Sequence, residues 1–378
     1  MKVIVSGYVG RRVTGIGRSL INWLSRIHRD DIEFVVYTNK DMAQDLKFDN
    51  PNVTVKTYDI SRENSIGNLL WTTFILPIKA LKEKADITLI TNFTLLLFPV
   101  KPTVIFLHDM TEYRVPDKQS KLRVFYRTKL AIPISAYNAT KIITVSQNSA
   151  KDIKEILKIK DKKLAFVYNG VDRTLFSKMK SEKARKILEA KNWGSPFILF
   201  VGTIDHPGRN LINLVKAYET LRQMDGYRGK LILTGRDGKG AEIVKEYIGN
   251  SQYKNDIIVT GYITDDELLA FYSCCDVFCY LSLYEGFGMP PVEAMSCGAR
   301  VVVSDTSSLP EAVGSVGKKV NPNDCRDIYS VIKSSLRESV DKVYLDKVDK
   351  HLSKFSWDTE AEKLGIVLKE VYKHNNSK

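Results

Sequence analysis

Cysteine is scarce in this chain and does not pair by spacing. The five are Cys274, Cys275, Cys279, Cys297 and Cys325 in a chain of 378 residues. They are odd in number, confined to the second half and without metal-ligand spacing, which excludes a disulfide scaffold or a zinc module. They read as reduced core thiols of a cytosolic protein. Long apolar runs are also absent. No stretch approaches the ~18 continuous apolar residues of a membrane span, and Thr and Asn interrupt the apolar segment Ile87 to Val100. Met1-Lys2 leads directly into Val3-Ile4-Val5 and Gly7, which reads as a first strand and not as a signal peptide. An acidic excess is missing too. The net charge is +13. Residues 1–172 hold 27 basic and 17 acidic side chains, a net +10, and the remainder holds 30 and 27, a net +3. Basic charge attracts polyanions. No zinc-finger, RNA-recognition or basic-helix motif accompanies it, so nucleic acid is not an expected partner.

What is present fits a soluble globular protein, with 44% hydrophobic and 27% charged residues. The length suits two domains. The most informative stretch is Leu283 to Gly298, Leu-Tyr-Glu-Gly-Phe-Gly-Met-Pro-Pro-Val-Glu-Ala-Met-Ser-Cys-Gly. The apolar run Val277 to Leu283 before it reads as a buried strand. Gly286 and Gly288 permit a tight turn and close backbone approach to a ligand. Pro290 and Pro291 suit the first turn of a helix. Gly298 ends that helix, and Val301-Val302-Val303-Ser304 starts another strand. The helix N-terminus favours an anion in the turn, such as phosphate. Glu285 and Glu293 frame that position, and carboxylates accept hydrogen bonds from sugar hydroxyls. Hydroxyls on both sides of a phosphate describe a sugar nucleotide.

These residues, Glu285-Gly-Phe-Gly-Met-Pro-Pro-Val-Glu293-Ala-Met-Ser-Cys-Gly298, resemble the Glu-x7-Glu signature of family 4 glycosyltransferases, retaining enzymes of the GT-B fold. The spacing alone is weak; the glycines, prolines and Cys-Gly ending make it specific. The resemblance runs along the chain. Asn169-Gly170-Val171-Asp172 looks like the domain junction, and Phe200-Val201-Gly202-Thr203 through Pro207-Gly208-Arg209-Asn210 like the start of the donor domain. Leu309-Pro310-Glu311 and Val320-Asn321-Pro322 match as well. Phe355-Ser356-Trp357 looks like the opening of a last helix that crosses back to the first domain.

Strands and helices alternate throughout, the pattern of parallel sheets covered by helices. The expected strands include Val3–Val5, Phe34–Tyr37, Val53–Val55, Ile87–Ile90, Thr103–Leu107, Lys141–Val145 and Leu164–Val167, and then Phe197–Val201, Leu231–Leu233, Ile257–Val259, Val277–Tyr280 and Val301–Val303. Ile66 to Lys82 reads as an amphipathic helix bent at Pro77. The expected fold is α/β: GT-B, two Rossmann-like doubly wound parallel-sheet domains facing across a cleft. Residues 1–170 are expected to form the acceptor-binding domain, with the helix at about 356–378 packing back on it. Residues 171–355 are expected to form the nucleotide-sugar donor domain.

Other glycine loops carry less. Gly15-Ile16-Gly17 follows a strand, but Leu20 stands where a dinucleotide fingerprint needs its third glycine. Gly235-Arg-Asp-Gly-Lys-Gly240 lacks the Lys-Ser/Thr of a phosphate loop and reads as a flexible turn near the nucleotide.

Glycosyl transfer breaks the bond from the anomeric carbon to the diphosphate, and the departing charge needs preorganised positive groups. No Asp-x-Asp metal-ligand pair stands beside the donor motif. The resemblance implies a metal-free solution, with no cofactor beyond the donor. Arg209 takes the family's basic phosphate position. Thr203 replaces a second arginine common in the family, and Arg236 is the candidate substitute. The resemblance places Glu293 on the ribose hydroxyls and Glu285 on the donor sugar. Gly286, Phe287, Gly288 and Met289, with Gly202 and Thr203, complete the donor set. His108 follows the strand Val104-Ile105-Phe106-Leu107 and is the candidate contact to the reacting sugar or acceptor, or else a hydrogen-bonded structural histidine. The catalytic candidates are thus Glu285, Arg209 and His108. Gly15, Gly17, Arg18, His108 and Asp109 look like acceptor-side features, and Arg11, Arg12 and Arg18 are cations for an anionic acceptor or are simply solvated.

Lys118, Lys121, Arg123, Phe125, Tyr126, Arg127, Lys129 and Leu130 interleave cations with apolar residues. The stretch suits an anionic membrane surface or a solvated basic helix packed on its domain. The expected activity is a retaining, metal-independent transfer of a hexose or deoxyhexose from a nucleotide diphosphate sugar to a glycan or glycolipid acceptor in surface polysaccharide synthesis. Its expected place is the cytoplasm or the inner membrane face. A phosphorylase or sugar-nucleotide hydrolase on the same fold, or a silent sugar-nucleotide binder, are the alternatives.

Overall fold

The computed structural model describes residues 1–11, 13, 15–92, 94–194 and 196–376. Arg12, one of the three arginines weighed for an anionic acceptor, lies outside them. The chain forms two compact units. One comprises Met1–Tyr113, Lys121–Gly170 and Phe355–Lys378; the other comprises Arg114–Ser120 and Val171–Lys354.

The first unit is built on a seven-stranded parallel sheet. Its strands are β1 (Lys2–Ser6), β2 (Glu33–Asn39), β3 (Val53–Tyr58), β4 (Ile87–Ile90), β5 (Thr103–Phe106), β6 (Lys141–Thr144) and β7 (Leu164–Phe166), ordered β3-β2-β1-β4-β5-β6-β7. The central strands are short β-branched runs buried on both faces, as a parallel sheet between helix layers requires. Trp23, on helix Gly15–Arg26, stacks on Phe106 at 4.6 Å and meets Trp357 edge-on at 6.1 Å. Trp357 opens the final helix, Trp357–Asn376. That helix buries Glu360 fully, and one carboxylate oxygen accepts the backbone N–H of Tyr168 at 2.8 Å. Arg29 pairs with Glu362, and Lys369 with Asp31.

The helix read over Ile66 to Lys82 does not bend simply at Pro77. It runs Ser65–Leu70, widens into a π-helical stretch at Trp71–Ile75 and resumes at Leu76–Lys82. Pro77 has no N–H for the preceding turn and its ring crowds the carbonyl four residues back; a wider turn relieves both. The same device recurs before Pro133, where Tyr126–Ala131 is π-helical and Ile132–Asn138 is α-helical.

The second unit has a six-stranded parallel sheet of β8 (Phe197–Val201), β9 (Lys230–Thr234), β10 (Ile257–Gly261), β11 (Val277–Tyr280), β12 (Val301–Ser304) and β13 (Lys318–Val320), ordered β10-β9-β8-β11-β12-β13. The apolar run to Leu283 is a strand only as far as Tyr280; Leu281 and Ser282 stay buried in the turn that follows. Strand β13, Lys-Lys-Val, escaped the hydrophobic pattern because two of its three residues are lysines. The order reverses between β8 and β11. Loops leaving their carboxyl ends therefore diverge and open a crevice at that point.

Gly170 lies against the final helix. A Cβ there would stand 2.5 Å from Trp357 Cγ and 2.6 Å from its backbone nitrogen. Gly170→Ala should therefore destabilise the chain by about 3 kcal/mol or more, since neither contact can yield without moving a packed helix. Urea unfolding would show the loss as a lowered midpoint at unchanged slope.

Candidate donor site on the second sheet

Two loops converge at the β8/β11 reversal. The first is Gly202 to Arg209. It is pinned to the loop after β9, since the Ile204 N–H donates to Arg236 O at 2.9 Å, the Gly238 N–H to Ile204 O at 2.7 Å and the His206 N–H to Lys239 O at 3.0 Å. Gly235 must be glycine: its φ is +140°, and a Cβ would fall 1.9 Å from the Gly202 carbonyl oxygen. Gly235–Gly240 is thus a hydrogen-bonded partner of the donor-side loop, which corrects its reading as a flexible turn. Thr203 packs there too; a Cβ on Gly238 would meet its methyl at 2.5 Å.

Arg209 ends the first loop, just before helix Leu211–Asp225. Its guanidinium bonds Glu285, the Tyr280 hydroxyl and Ser282 Oγ, the last at 3.3 Å. It also lies 5.3 Å from the Tyr280 ring centroid, a cation–π distance. Asp205 accepts the Arg209 backbone N–H at 2.9 Å and stands 3.6 Å from Nε. Lys118 Nζ reaches within 4.0 Å of Asp205. Two carboxylates and two cations form one cluster, in which the Asp205, Arg209 and Glu285 side chains are 7%, 15% and 15% exposed. Such compensation is what keeps buried charges tolerable.

The second loop is Leu281 to Gly288, and serines from the neighbouring loop hold it. The Glu285 N–H donates to Ser307 Oγ at 3.1 Å, and the buried Ser308 hydroxyl is within bonding distance of the Glu285 and Phe287 carbonyls, 3.0 and 2.9 Å. Of the two glycines, only Gly288 is left-handed, with φ +102°; a Cβ there would press on Leu309 at 2.7 Å. Helix Met289–Ser296 follows, with prolines at its second and third positions. They leave the amide donors at this end to Gly288 and Met289, ahead of Val292. Glu293 lies one turn on. The fully buried Tyr272 donates to its carboxylate at 3.2 Å, and burial, with Glu293 next, raises the Tyr272 pKa well above its ordinary value. Burial first and Glu293 second push the Cys297 thiol up to about 12.

Glu285, Gly286, Phe287, Gly288, Met289 and Arg209 are thus brought to one place, with Gly202 and Thr203 at the base of the neighbouring loop and Glu293 one helical turn away. Sequence reasoning missed Asp205, Tyr280, Ser282, Tyr272 and Ser308. Asp205 is four residues from Arg209, which is the one local signal among them. Lys118 separates from the basic stretch that continues to Leu130. It belongs to the second unit, in the segment Arg114–Ser120, and Lys239 holds that segment by donating to the Asp117 and Gln119 carbonyls at 2.5 and 2.9 Å. Arg236 is exposed. Among the described residues no group of three or more His, Cys, Asp or Glu is arranged to hold a metal ion.

The acceptor-side candidates lie on the first unit. His108 follows β5, stacks on Phe106 at 5.6 Å and has Nε2 2.9 Å from the Thr91 carbonyl. A carbonyl only accepts, so Nε2 carries the proton and Nδ1 remains an acceptor. Asp109 accepts the Thr111 N–H at 2.8 Å and so caps the turn after it. Gly15 and Arg18 are exposed on the first turn of helix Gly15–Arg26, and Gly17 is buried where a Cβ would meet Val13 at 2.7 Å. Arg11 pairs with Glu63 at 3.4 Å.

The family model "Glycosyl transferases group 1" matches residues 181–341, and "Glycosyltransferase Family 4" matches residues 13–175. The chain belongs to the group 1, family 4 glycosyltransferases. It is 29% identical over 269 residues to the serotype-specific mannosyltransferase WbdA of Escherichia coli, covering 68% of this chain and 32% of that protein. It is 30% identical over 231 residues to O-antigen chain mannosyltransferase B of Escherichia coli, 61% of this chain and 60% of that one. The chain therefore spans about a third of the first relative's length and three fifths of the second's. With O-antigen chain mannosyltransferase RfbU of Salmonella typhimurium the match is 22% over 350 residues, covering 92% and 89%. Among solved structures, HepE of Anabaena in complex with UDP and glucose superimposes with a TM-score of 0.74 at 18% identity, covering 98% of this chain and 100% of that one. The fold is GT-B.

Burial lowers the His108 pKa. The Thr91 carbonyl and Asp109 oppose the shift and Arg127 adds to it. His351, on Ala312 O at 2.9 Å, shifts the same way, again chiefly by burial. A folded pKa below the unfolded ~6.5 means that the native state binds fewer protons there, so the stability is whole above that pH and is lost as pH falls through the folded values. Unfolding free energy should fall as pH drops from about 6.5 toward 5, and His351→Gln should flatten that slope. Urea midpoints across this range would check it.

Proposed function

We propose that this chain transfers a hexose, mannose foremost, from a nucleotide diphosphate sugar to a glycan or lipid-linked glycan in cell-surface polysaccharide synthesis. The observation that carries the reading is the convergence of Arg209 and Glu285 at the β8/β11 reversal, with Glu293 one helical turn beyond. The sugar and the pathway are supported by relatives named as O-antigen mannosyltransferases. HepE, of the same fold, is described with UDP and glucose.

In this reading the diphosphate takes the Arg209 guanidinium, whose planar fork suits phosphate oxygens, and lies against the Gly288 and Met289 amides at the helix start. Glu293 accepts the ribose hydroxyls, and Tyr272 holds that carboxylate in place. Glu285, released from Arg209, accepts hydroxyls of the donor sugar. The bond from the anomeric carbon to the diphosphate breaks, and the acceptor oxygen bonds to that carbon on the same face. The acceptor proton passes to the departing phosphate oxygen, and configuration is retained. Arg209 and the amide dipoles steady the developing charge without a metal. His108 and Asp109, with Gly15, Gly17 and Arg18, serve the acceptor, the neutral His108 offering Nδ1 to a hydroxyl. The working place is the cytoplasm, at the inner face of a membrane that carries a lipid-linked acceptor. The five thiols, all unpaired by disulfides, support a reducing compartment.

Thermal unfolding with GDP-, UDP-, dTDP- and ADP-sugars in EDTA tests this directly. One nucleotide class should raise the midpoint, because ligand binds the folded state only. Glu293→Ala and Arg209→Ala should each weaken that ligand by about tenfold or more, the cost of losing a hydrogen bond to a charged partner. A shift that needs a divalent cation would overturn the metal-free site. No shift with any sugar nucleotide would overturn the donor assignment.

A further inference from the structure

The helix layer of the first unit exposes a run of large apolar side chains. Over Ser65–Lys82 the chain buries the polar Asn68, Thr72 and Thr73 beside Trp71, Leu76, Pro77 and Ala80, and exposes Ile66 (72%), Leu70, Phe74, Ile75, Ile78 and Leu81. The inward polar groups are satisfied: Asn68 bonds Asn39 and the Tyr58 hydroxyl at 2.6 and 2.9 Å, Thr72 bonds the Asn68 carbonyl at 2.9 Å, and Thr73 bonds Leu95 O at 3.0 Å. The exposed apolar face is therefore fixed by an interior that is both packed and hydrogen-bonded. The loop after β4 extends the surface. Phe98 is 62% exposed and lies 6.3 Å from the Phe74 ring. That loop is in turn tied to helix Ile132–Asn138, through Ser135 on Thr94 O at 2.8 Å and Asn138 on Leu96 O at 2.8 Å. The helical run Lys121–Asn138 then adds exposed Leu122, Phe125, Leu130 and Tyr137.

Charge identifies the occupant. Neither Ser65–Lys82 nor Lys121–Asn138 contains an acidic residue, and together they hold six lysines and arginines. One of these, Arg127, is spent inward on the buried Glu112. Lys82, Lys121, Arg123 and Lys129 are exposed. A second copy docked by the same face would bring like charges together, as a two-fold contact matches a patch with itself. An anionic lipid surface answers both features at once, taking apolar side chains below its headgroups and cations among them.

We infer that the outward face of Ser65–Lys82, continued by Phe98 and the exposed residues of Lys121–Asn138, docks the chain on an anionic lipid bilayer. The inference rests on the membrane working place proposed above and names the surface that serves it. It moves the main contact away from Lys118, which belongs to the second unit.

Vesicle flotation tests it with the full chain, using phosphatidylcholine alone or mixed with phosphatidylglycerol. The wild type should float with the anionic vesicles and lose most of that binding with phosphatidylcholine alone or in high salt. Phe74→Asp with Ile78→Asp should cut partition to anionic vesicles by about tenfold or more, both side chains being exposed and inserted in this account. Leu122→Ser with Phe125→Ser is the milder second variant and should weaken it by a smaller factor. Thermal midpoints and sugar-nucleotide binding in solution, which need no bilayer, report folding and the donor site separately. A wild type that stays unbound with anionic vesicles overturns the inference. So does a Phe74→Asp/Ile78→Asp variant that floats equally well. A dimer in solution that this variant dissociates would give the face to a second copy instead.

Discussion

The pairing of Arg209 with Glu285 is the interaction on which the second unit's site depends. It joins a loop leaving β8 to a loop leaving β11, 76 residues apart in sequence. Asp205 and Lys118 complete the charge balance, and Tyr280 lies beneath the guanidinium. Without Glu285, Arg209 keeps Asp205 as its countercharge, 3.6 Å from Nε. The arrangement also places a cation where the fold opens, at the reversal of strand order.

The rest of that unit supports this placement. Gly235 allows the backbone of the neighbouring loop to lie against Gly202. Ser307 and Ser308 fix the turn that carries Glu285. Tyr272 reaches from helix Asp265–Cys274 to hold Glu293, so both carboxylates of the pair framing the turn have protein partners.

Much of this was legible because short Val/Ile runs bounded by glycine or polar turns make poor candidates for anything but buried parallel strands. β8 and β11 stand where Phe197–Val201 and Val277–Tyr280 indicate them. The strand, glycine turn, Pro-Pro helix and Cys-Gly stop around Glu285 are set by local backbone rules, and they carried the family resemblance. What could not be read depends on sheet order. That Arg209 reaches Glu285, or Lys118 reaches Asp205 across 87 residues, follows from topology and not from spacing. Strand Lys318–Val320 hid behind its lysines. The stretch Ile66–Lys82 gave a helical period, but the period does not say which face points inward. Asn68 and Thr72, which look like surface residues, are buried, and Phe74 and Ile78 are not. A basic run taken as one element, Lys118 to Leu130, divides between two units.

The central claim is that Glu285 occupies Arg209 until a diphosphate replaces it. Calorimetric titration of the matching nucleoside diphosphate, without its sugar, into wild type and Glu285→Gln measures this directly. Neutralising the carboxylate removes the competitor for the guanidinium but leaves the fold and Glu293 in place. The account predicts that Glu285→Gln binds the nucleoside diphosphate more tightly, by about threefold to tenfold, the worth of a partly exposed ion pair near 1 kcal/mol. Equal or weaker binding by the variant would contradict it.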